Sequence, residues 1–248
     1  MSSAELKSTC LLSVSDLNAW YGAAHILHDI SLEVGRGEVV ALMGRNGAGK
    51  STTLKSIMGL VHKRSGSVEF MGQGIDRLQP YEVARLGLGY VPEDRRIFSE
   101  LSVKENLEVG RLGLRYWPDG QPALNWVADD LYKLFPHLAN TGSRLAGTMS
   151  GGEQQMLTVA RTLMGNPFVV LLDEPSEGVA PVIVDQMVAM ILALKERGAS
   201  VLLSEQNIHF AQLVSDRAYV LEKGMLRYQG SMKELVNNDE IRKSYLSF

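Results

Sequence analysis

Short apolar runs alternate with amphipathic stretches along most of this chain. Leu12 to Leu17 and Val39 to Met43 read as strands, with Gly35-Arg36-Gly37 as a turn between strand patterns. Ser51 to Leu60 predicts a helix ended by Gly59, and Ser67 to Phe70 a further strand. Beyond residue 150 come a helix from Gly151, a buried strand Phe168 to Leu172, a helix Pro181 to Arg197 and a strand Ser200 to Ser204. Strands alternating with helices predict a parallel sheet covered on both faces, so the fold class is α/β. Tyr219 to Glu222 and Met225 to Tyr228 predict a hairpin turning at Lys223-Gly224, and a helical segment follows from Met232. Residues 95–145 differ in character. Ser102 and Glu105 have capping-box spacing, Tyr116 to Pro122 reads as a loop, and Ala123 to Phe135 has helical periodicity. That region is expected to be a mostly helical insertion.

Composition narrows the partners. The 248 residues suffice for one large domain, or a core domain with a small subdomain. Hydrophobic content of 45% and charged content of 21% fit a globular chain with a real core. The apolar runs stop short of the roughly 18 residues of a membrane helix, so a membrane role is expected to come from docking on a partner. The first residues lack the apolar stretch of a signal peptide. A net charge of −3 argues against a strongly basic nucleic-acid binder. The single cysteine, Cys10, excludes an intrachain disulfide and fits a reducing compartment.

The chemistry is concentrated in three motifs. Gly44-Arg45-Asn46-Gly47-Ala48-Gly49-Lys50-Ser51 matches G-x-x-x-x-G-K-[ST], after a β-like run and before a helix; Thr52 completes the loop. Its glycines let backbone N–H groups face phosphate oxygens, and the helix start adds positive dipole character. Lys50 is expected to reach the β- and γ-phosphates of ATP and Ser51 to hold Mg²⁺. The run 168–172 ends in Asp173-Glu174, two carboxylates at a strand end where ligands sit in open α/β sheets. Asp173 is the expected Mg²⁺ ligand and Glu174 a candidate general base for the attacking water. In Ser150-Gly151-Gly152-Glu153-Gln154-Gln155, Ser150 and Glu153 form a second capping box, and the glycines leave the helix start bare for close approach of a phosphate.

With that third motif the chain resembles the ATP-binding cassette (ABC) family, whose signature is an LSGGQ-like stretch after a helical insertion. Met149 and Glu153 stand where Leu and Gln are usual. The resemblance implies a P-loop ATPase core with an antiparallel β subdomain and a helical subdomain. It implies one cassette over about residues 10–240, with the helical part near 95–150. It also implies that the signature of one chain faces the γ-phosphate bound by another, and that Tyr21 stacks on adenine.

Three positions depart from the wider family: Glu93 stands where Gln is usual, Ala180 where Asp is usual, and Gln206 where a γ-phosphate-sensing His is usual. Glu93 can still ligate Mg²⁺ or its water, and Gln206 keeps an amide donor for the phosphate but takes up no proton. One reading is a weakly hydrolysing, regulatory ATP-binding module; the retained Glu174 argues against it. The other is branch identity. Val91-Pro92-Glu93, Arg95-Arg96-Ile97-Phe98, Glu205-Gln206-Asn207 and Gly178-Val179-Ala180-Pro181 together resemble the LivF-type ATPases of branched-chain amino acid importers, whose relatives serve urea, amides or other amino acids. That branch implies a second ATPase chain, two membrane permeases, an external substrate-binding protein, and a place on the cytoplasmic face of a bacterial inner membrane. Arg95, Arg96, Ile97 and Phe98 are the expected permease contact. A soluble ABC ATPase working on DNA or ribosomes is disfavoured, because the chain lacks a long heptad run, a second cassette and basic bias.

Overall fold

A computed structural model describes residues 10–246. In chain order, strands β1 (Cys10–Tyr21), β2 (Ala24–Gly35) and β3 (Val39–Met43) lead into helix α1 (Lys50–Ile57). Then come β4 (Lys63–Phe70), β5 (Gln73–Gly74), α2 (Pro80–Leu86), β6 (Leu88–Val91), α3 (Val103–Gly110), α4 (Ala128–Leu134) and α5 (Pro136–Asn140). The last stretch holds α6 (Gly151–Leu163), β7 (Val169–Asp173), α7 (Pro181–Glu196), β8 (Ser200–Glu205), α8 (Ile208–Val214), β9 (Arg217–Glu222), β10 (Met225–Ser231) and α9 (Met232–Asn237).

Among the described residues the strands form a four-stranded sheet, β2-β1-β4-β5, and a six-stranded sheet, β10-β9-β3-β8-β7-β6. The first is antiparallel. In the second, β6, β7, β8, β3 and β9 pair in parallel, and β10 returns antiparallel on β9. Strand periodicity explains why the apolar runs are continuous. All five residues of β7 are buried. Val169 and Leu171 face the core shared with the antiparallel sheet and α1, whereas Val170 and Leu172 face the core built with α6 and α7. The two cores clamp the parallel strands from both sides, so the loops after β3, β7 and β8 emerge together at one sheet edge.

The central expectations survive with shifted ends. Strand 39–43 matches in full, and the helices at 51, 151 and 181 and the hairpin at 223–224 are present. The insertion is less helical than its periodicity suggests. Within Ala123–Phe135 only Ala128–Leu134 is helical. The amide of Ala123 donates to the carbonyl of Arg115, and that of Trp126 to Asn166 Oδ1, which hold the preceding residues in an open conformation. Pro136 disfavours helical geometry at Phe135 and so ends the helix. Helix α2 and strand β6 were not anticipated. Among the described residues no helix is long and apolar enough to cross a membrane.

Candidate active site

The phosphate loop leaves β3 and turns into α1. At Gly44 a side chain is impossible without rebuilding, because a Cβ would lie 2.6 Å from the carbonyl oxygen of Leu221. Gly49 caps α1 with φ 110°, a left-handed value that favours glycine, and the helix has no side-chain cap. Its first amides therefore remain available to an anion. Lys50 is buried at 3% exposure. Its ammonium donates to the carbonyls of Gly44 (2.8 Å) and Arg45 (3.1 Å) and pairs with Glu174 Oε1 at 2.9 Å. Those contacts use all three donors, so a phosphate must displace at least one of them.

The carboxylates come from the end of β7. Asp173 is fully buried and accepts from the hydroxyls of Ser51 (2.9 Å) and Ser204 (2.7 Å) on Oδ1, and from Tyr90 (3.0 Å) on Oδ2. Glu174 follows with φ 46°, a left-handed conformation that costs a non-glycine residue on the order of 1–3 kcal/mol. Its amide donates to the carbonyl (3.1 Å) and hydroxyl (3.0 Å) of Ser204, which pins the strained residue from β8. The turn aims Glu174 back at Lys50.

The rim is acidic. Glu174, Ser176, Glu177, Glu205, Gln206, Asn207 and Asn46 line one cavity. Glu205 is buried and organises its floor: Oε1 accepts from the amide of Ser176, and Oε2 from the amides of Gln206 and Asn207. Burial raises its pKa, and those hydrogen bonds oppose the rise. Glu177 is pushed up to about 7, chiefly by a side-chain hydrogen bond with Glu174, then by desolvation and the negative charges of Glu174 and Glu93.

The signature stands apart. Ser150 caps α6 by accepting from the Glu153 amide, and Glu153 accepts from the Ser150 amide at 2.7 Å. Those bonds, with Arg144 nearby, lower the Glu153 pKa. The glycines also serve packing within the chain. A Cβ on Gly152 would sit 2.7 Å from Ile183 Cγ1 of α7, and one on Gly151 would sit 2.8 Å from the Arg95 guanidinium.

The fold thus brings together Lys50, Ser51, Asp173 and Glu174, with Gly44, Arg45, Asn46, Gly47, Ala48, Gly49 and Thr52 around them and Gln206 on the adjoining rim. Ser150 and Glu153 bond elsewhere, to each other, and Glu153 also pairs with Arg144. Tyr21 is half exposed at the end of β1. Glu93 is exposed, and its negative charge acts on Glu177 of the rim. Ala180 is the exposed first flank of α7 and offers no side-chain cap. Of the four expected permease contacts, Arg96 pairs with Asp94 and Ile97 packs against the core, which leaves Phe98 the exposed apolar one. Sequence reasoning missed Ser204, Tyr90 and Glu177. Ser204 and Tyr90 sit in strands where Ser and Tyr are ordinary, and only the register of β6, β7 and β8 places them beside Asp173.

The residues present fit a nucleotide with Mg²⁺. The Gly44 cradle and the uncapped start of α1 suit phosphate. Among the described residues no cluster of three or more His, Cys, Asp or Glu forms a metal cage. Ser51 beside Asp173 fits the sparser kind of donor set in which Mg²⁺ is shared with substrate phosphates.

Comparison with known proteins agrees with this geometry. The ABC transporter family profile matches residues 27–177. The chain is 42% identical to the high-affinity branched-chain amino acid transport ATP-binding protein BraG of Pseudomonas aeruginosa, over 95% of this chain and 99% of that one. It is 36% identical to a probable branched-chain amino acid transport ATP-binding protein, LivF, of Archaeoglobus fulgidus (94% and 97% covered). It is 34% identical to the lipopolysaccharide export ATP-binding protein LptB of Haemophilus influenzae (95% and 97%). The crystal structure of a nucleotide-free ATP-binding cassette from an ABC transporter superposes with a TM-score of 0.77 at 26% identity, covering 94% of this chain and 97% of that one. A phosphate loop, a strand-end carboxylate pair and a capped signature helix on one cassette fold therefore have a single account: this chain belongs to the ABC transporter family, as an ATPase subunit.

Proposed function

We propose that this chain is the ATP-hydrolysing subunit of an importer for branched-chain or related amino acids, attached to the cytoplasmic face of a bacterial inner membrane. The observation that carries the enzymatic part is the convergence of Lys50, Ser51, Asp173 and Glu174, joined by a Lys50–Glu174 ion pair and a Ser51–Asp173 hydrogen bond. The cargo reading rests on the similarity to BraG and LivF and on Glu93, Ala180 and Gln206.

In this reading Lys50 leaves its loop carbonyls for the β- and γ-phosphates, and the α1 amides hold the same oxygens. Tyr21 supports the adenine. Ser51 and Asp173 hold Mg²⁺, with Glu93 as a further ligand to the ion or its water; the ion supplies charge neutralisation on the phosphates when bound. Glu174 accepts the proton of the attacking water, and Gln206 donates an amide hydrogen bond to the γ-phosphate. Ser150 to Glu153 act on the nucleotide of a second ATPase chain, and that chain's signature acts here. The cassette is one domain over residues 10–240, its part near 95–150 serving the partners. A permease loop docks in the groove lined by Phe98, Val109, Leu112 and Arg161. Two permeases and an external binding protein complete the machine.

The test is reconstitution of the chain with the permeases and binding protein encoded beside it. Leucine, isoleucine or valine should stimulate turnover, and Glu174→Gln should trap ATP without hydrolysis. Stimulation only by a lipid substrate would favour the export role named for LptB, and full turnover of the Gln variant would remove Glu174 as the base.

A further inference from the structure

Tyr90 lies on β6 with its two ends in different places. Its hydroxyl donates to Asp173 Oδ2 at 3.0 Å. Its ring packs against the core beneath the antiparallel sheet, and the residue belongs to the stretch of β6 that walls the groove of Phe98, Val109, Leu112 and Arg161. Asp173 Oδ1 is held by Ser51 from the phosphate loop and by Ser204 from β8. Among the described residues, Oδ2 is held by Tyr90 alone. One carboxylate is thus fixed by the nucleotide side on one oxygen and, on the other, by a side chain of the strand that walls the groove.

From this arrangement we infer that Tyr90 is a positioning residue that couples occupancy of the groove to the orientation of Asp173. The inference rests on reading the groove as a permease dock and Asp173 as a Mg²⁺ ligand. A tyrosine suits such coupling, because its rigid ring carries a small shift of β6 beside the groove to the hydroxyl, and a hydrogen bond weakens steeply as it lengthens. A bond to a carboxylate is charge-assisted, so losing it frees the acceptor appreciably. Burial, with the charge of Asp173 added, holds the phenol well above its ordinary pKa, so it stays a donor across the working pH range. Coupling of this kind is reciprocal: what an occupant of the groove does to Asp173, a ligand of Asp173 does to the groove.

The competing role is space filling, which Tyr90→Phe preserves. The probe is Mg²⁺ with a non-hydrolysable ATP analogue on the full chain. In Tyr90→Phe, the Mg²⁺ concentration that half-saturates analogue binding should rise about three- to tenfold. Analogue affinity without Mg²⁺ should stay within about twofold, and the thermal midpoint should hardly move. The methyl resonances of Val109 and Leu112 report the groove. In the native chain they should shift on adding Mg²⁺ to the analogue complex, and in Tyr90→Phe that shift should fall by at least half. An unchanged Mg²⁺ dependence, or an unchanged methyl shift, overturns the role of Tyr90 alone. A native chain in which Mg²⁺ alters neither analogue binding nor the methyls overturns the reading of the site as well.

Discussion

Helix α1 begins on Gly49 without a side-chain cap, whereas α6 begins on Ser150 with a reciprocal capping box. Both are glycine-rich helix starts suited to phosphate, yet they differ in what surrounds them. Around α1 the reactive side chains are already paired inside the chain: Lys50 with two carbonyls and Glu174, Asp173 with three hydroxyls. Around α6 the cap is local: Ser150 and Glu153 bond each other, and Arg144 pairs with Glu153. The first region gathers the groups of the proposed nucleotide half-site, tied together by the Lys50–Glu174 ion pair. The second, in the proposed assembly, acts on a nucleotide that another chain binds.

The sharpest way to break this contrast is at Lys50. A buried ion pair that loses one partner leaves an uncompensated charge, so Lys50→Ala should weaken ATP binding about 100-fold or more and destabilise the chain as well. Equilibrium nucleotide binding and a thermal melt read both effects; native-like ATP affinity would misplace the phosphate site. Glu174→Gln comes next. Loss of a general base should lower turnover of the assembled enzyme about 10²- to 10⁴-fold. Because it also releases Lys50 from its resting partner, ATP affinity of the isolated chain should hold or rise. A fall in affinity would mean the Lys50–Glu174 pair is not a competitor of phosphate.

Gly152→Ala separates packing from catalysis. Its Cβ would meet Ile183, so overpacking should cost about 1–3 kcal/mol and lower the melting temperature by several degrees. ATP binding by the isolated chain should be unaffected, since α6 is not part of that half-site. The smallest effect is expected at Glu177. Its folded pKa is raised to about 7, so the stability its protonated form contributes is present below the ordinary Glu range and lost as pH rises through 7. Glu177→Gln should therefore match the native melting temperature near pH 4.5 and exceed it towards pH 8. A difference that is constant with pH would contradict the acid pair.

The parallel strands at 39–43 and 169–173 were legible because burial on both faces writes an apolar run, whereas β6, half-buried at Gly89 and Tyr90, writes none. The capping boxes at Ser102–Glu105 and Ser150–Glu153 were legible because their residues are three apart and need no tertiary partner. Ala123 to Phe135 misled for the opposite reason: its periodicity is real, but long-range bonds to Arg115 and Asn166 hold its first residues out of the helix. Within the site, motif residues could be named from the chain, but their bonds could not. The Lys50–Glu174 pair depends on the left-handed turn at Glu174, and the Tyr90 contact on the register of β6 against β7. Neither leaves a local pattern.

The central claim, that the two glycine-rich helix starts belong to different nucleotides, is tested most directly by Gly151→Asp. The three nearest atoms that a Cβ here would meet all belong to the flexible end of Arg95, so the fold should tolerate it. ATP affinity of the isolated variant and ATP turnover of the assembled transporter would be measured side by side. The account predicts affinity within about twofold of native and turnover reduced at least about 100-fold, because charge repulsion falls on the phosphate bound by the other chain. Affinity lost in the isolated chain, or turnover kept in the assembly, would contradict it.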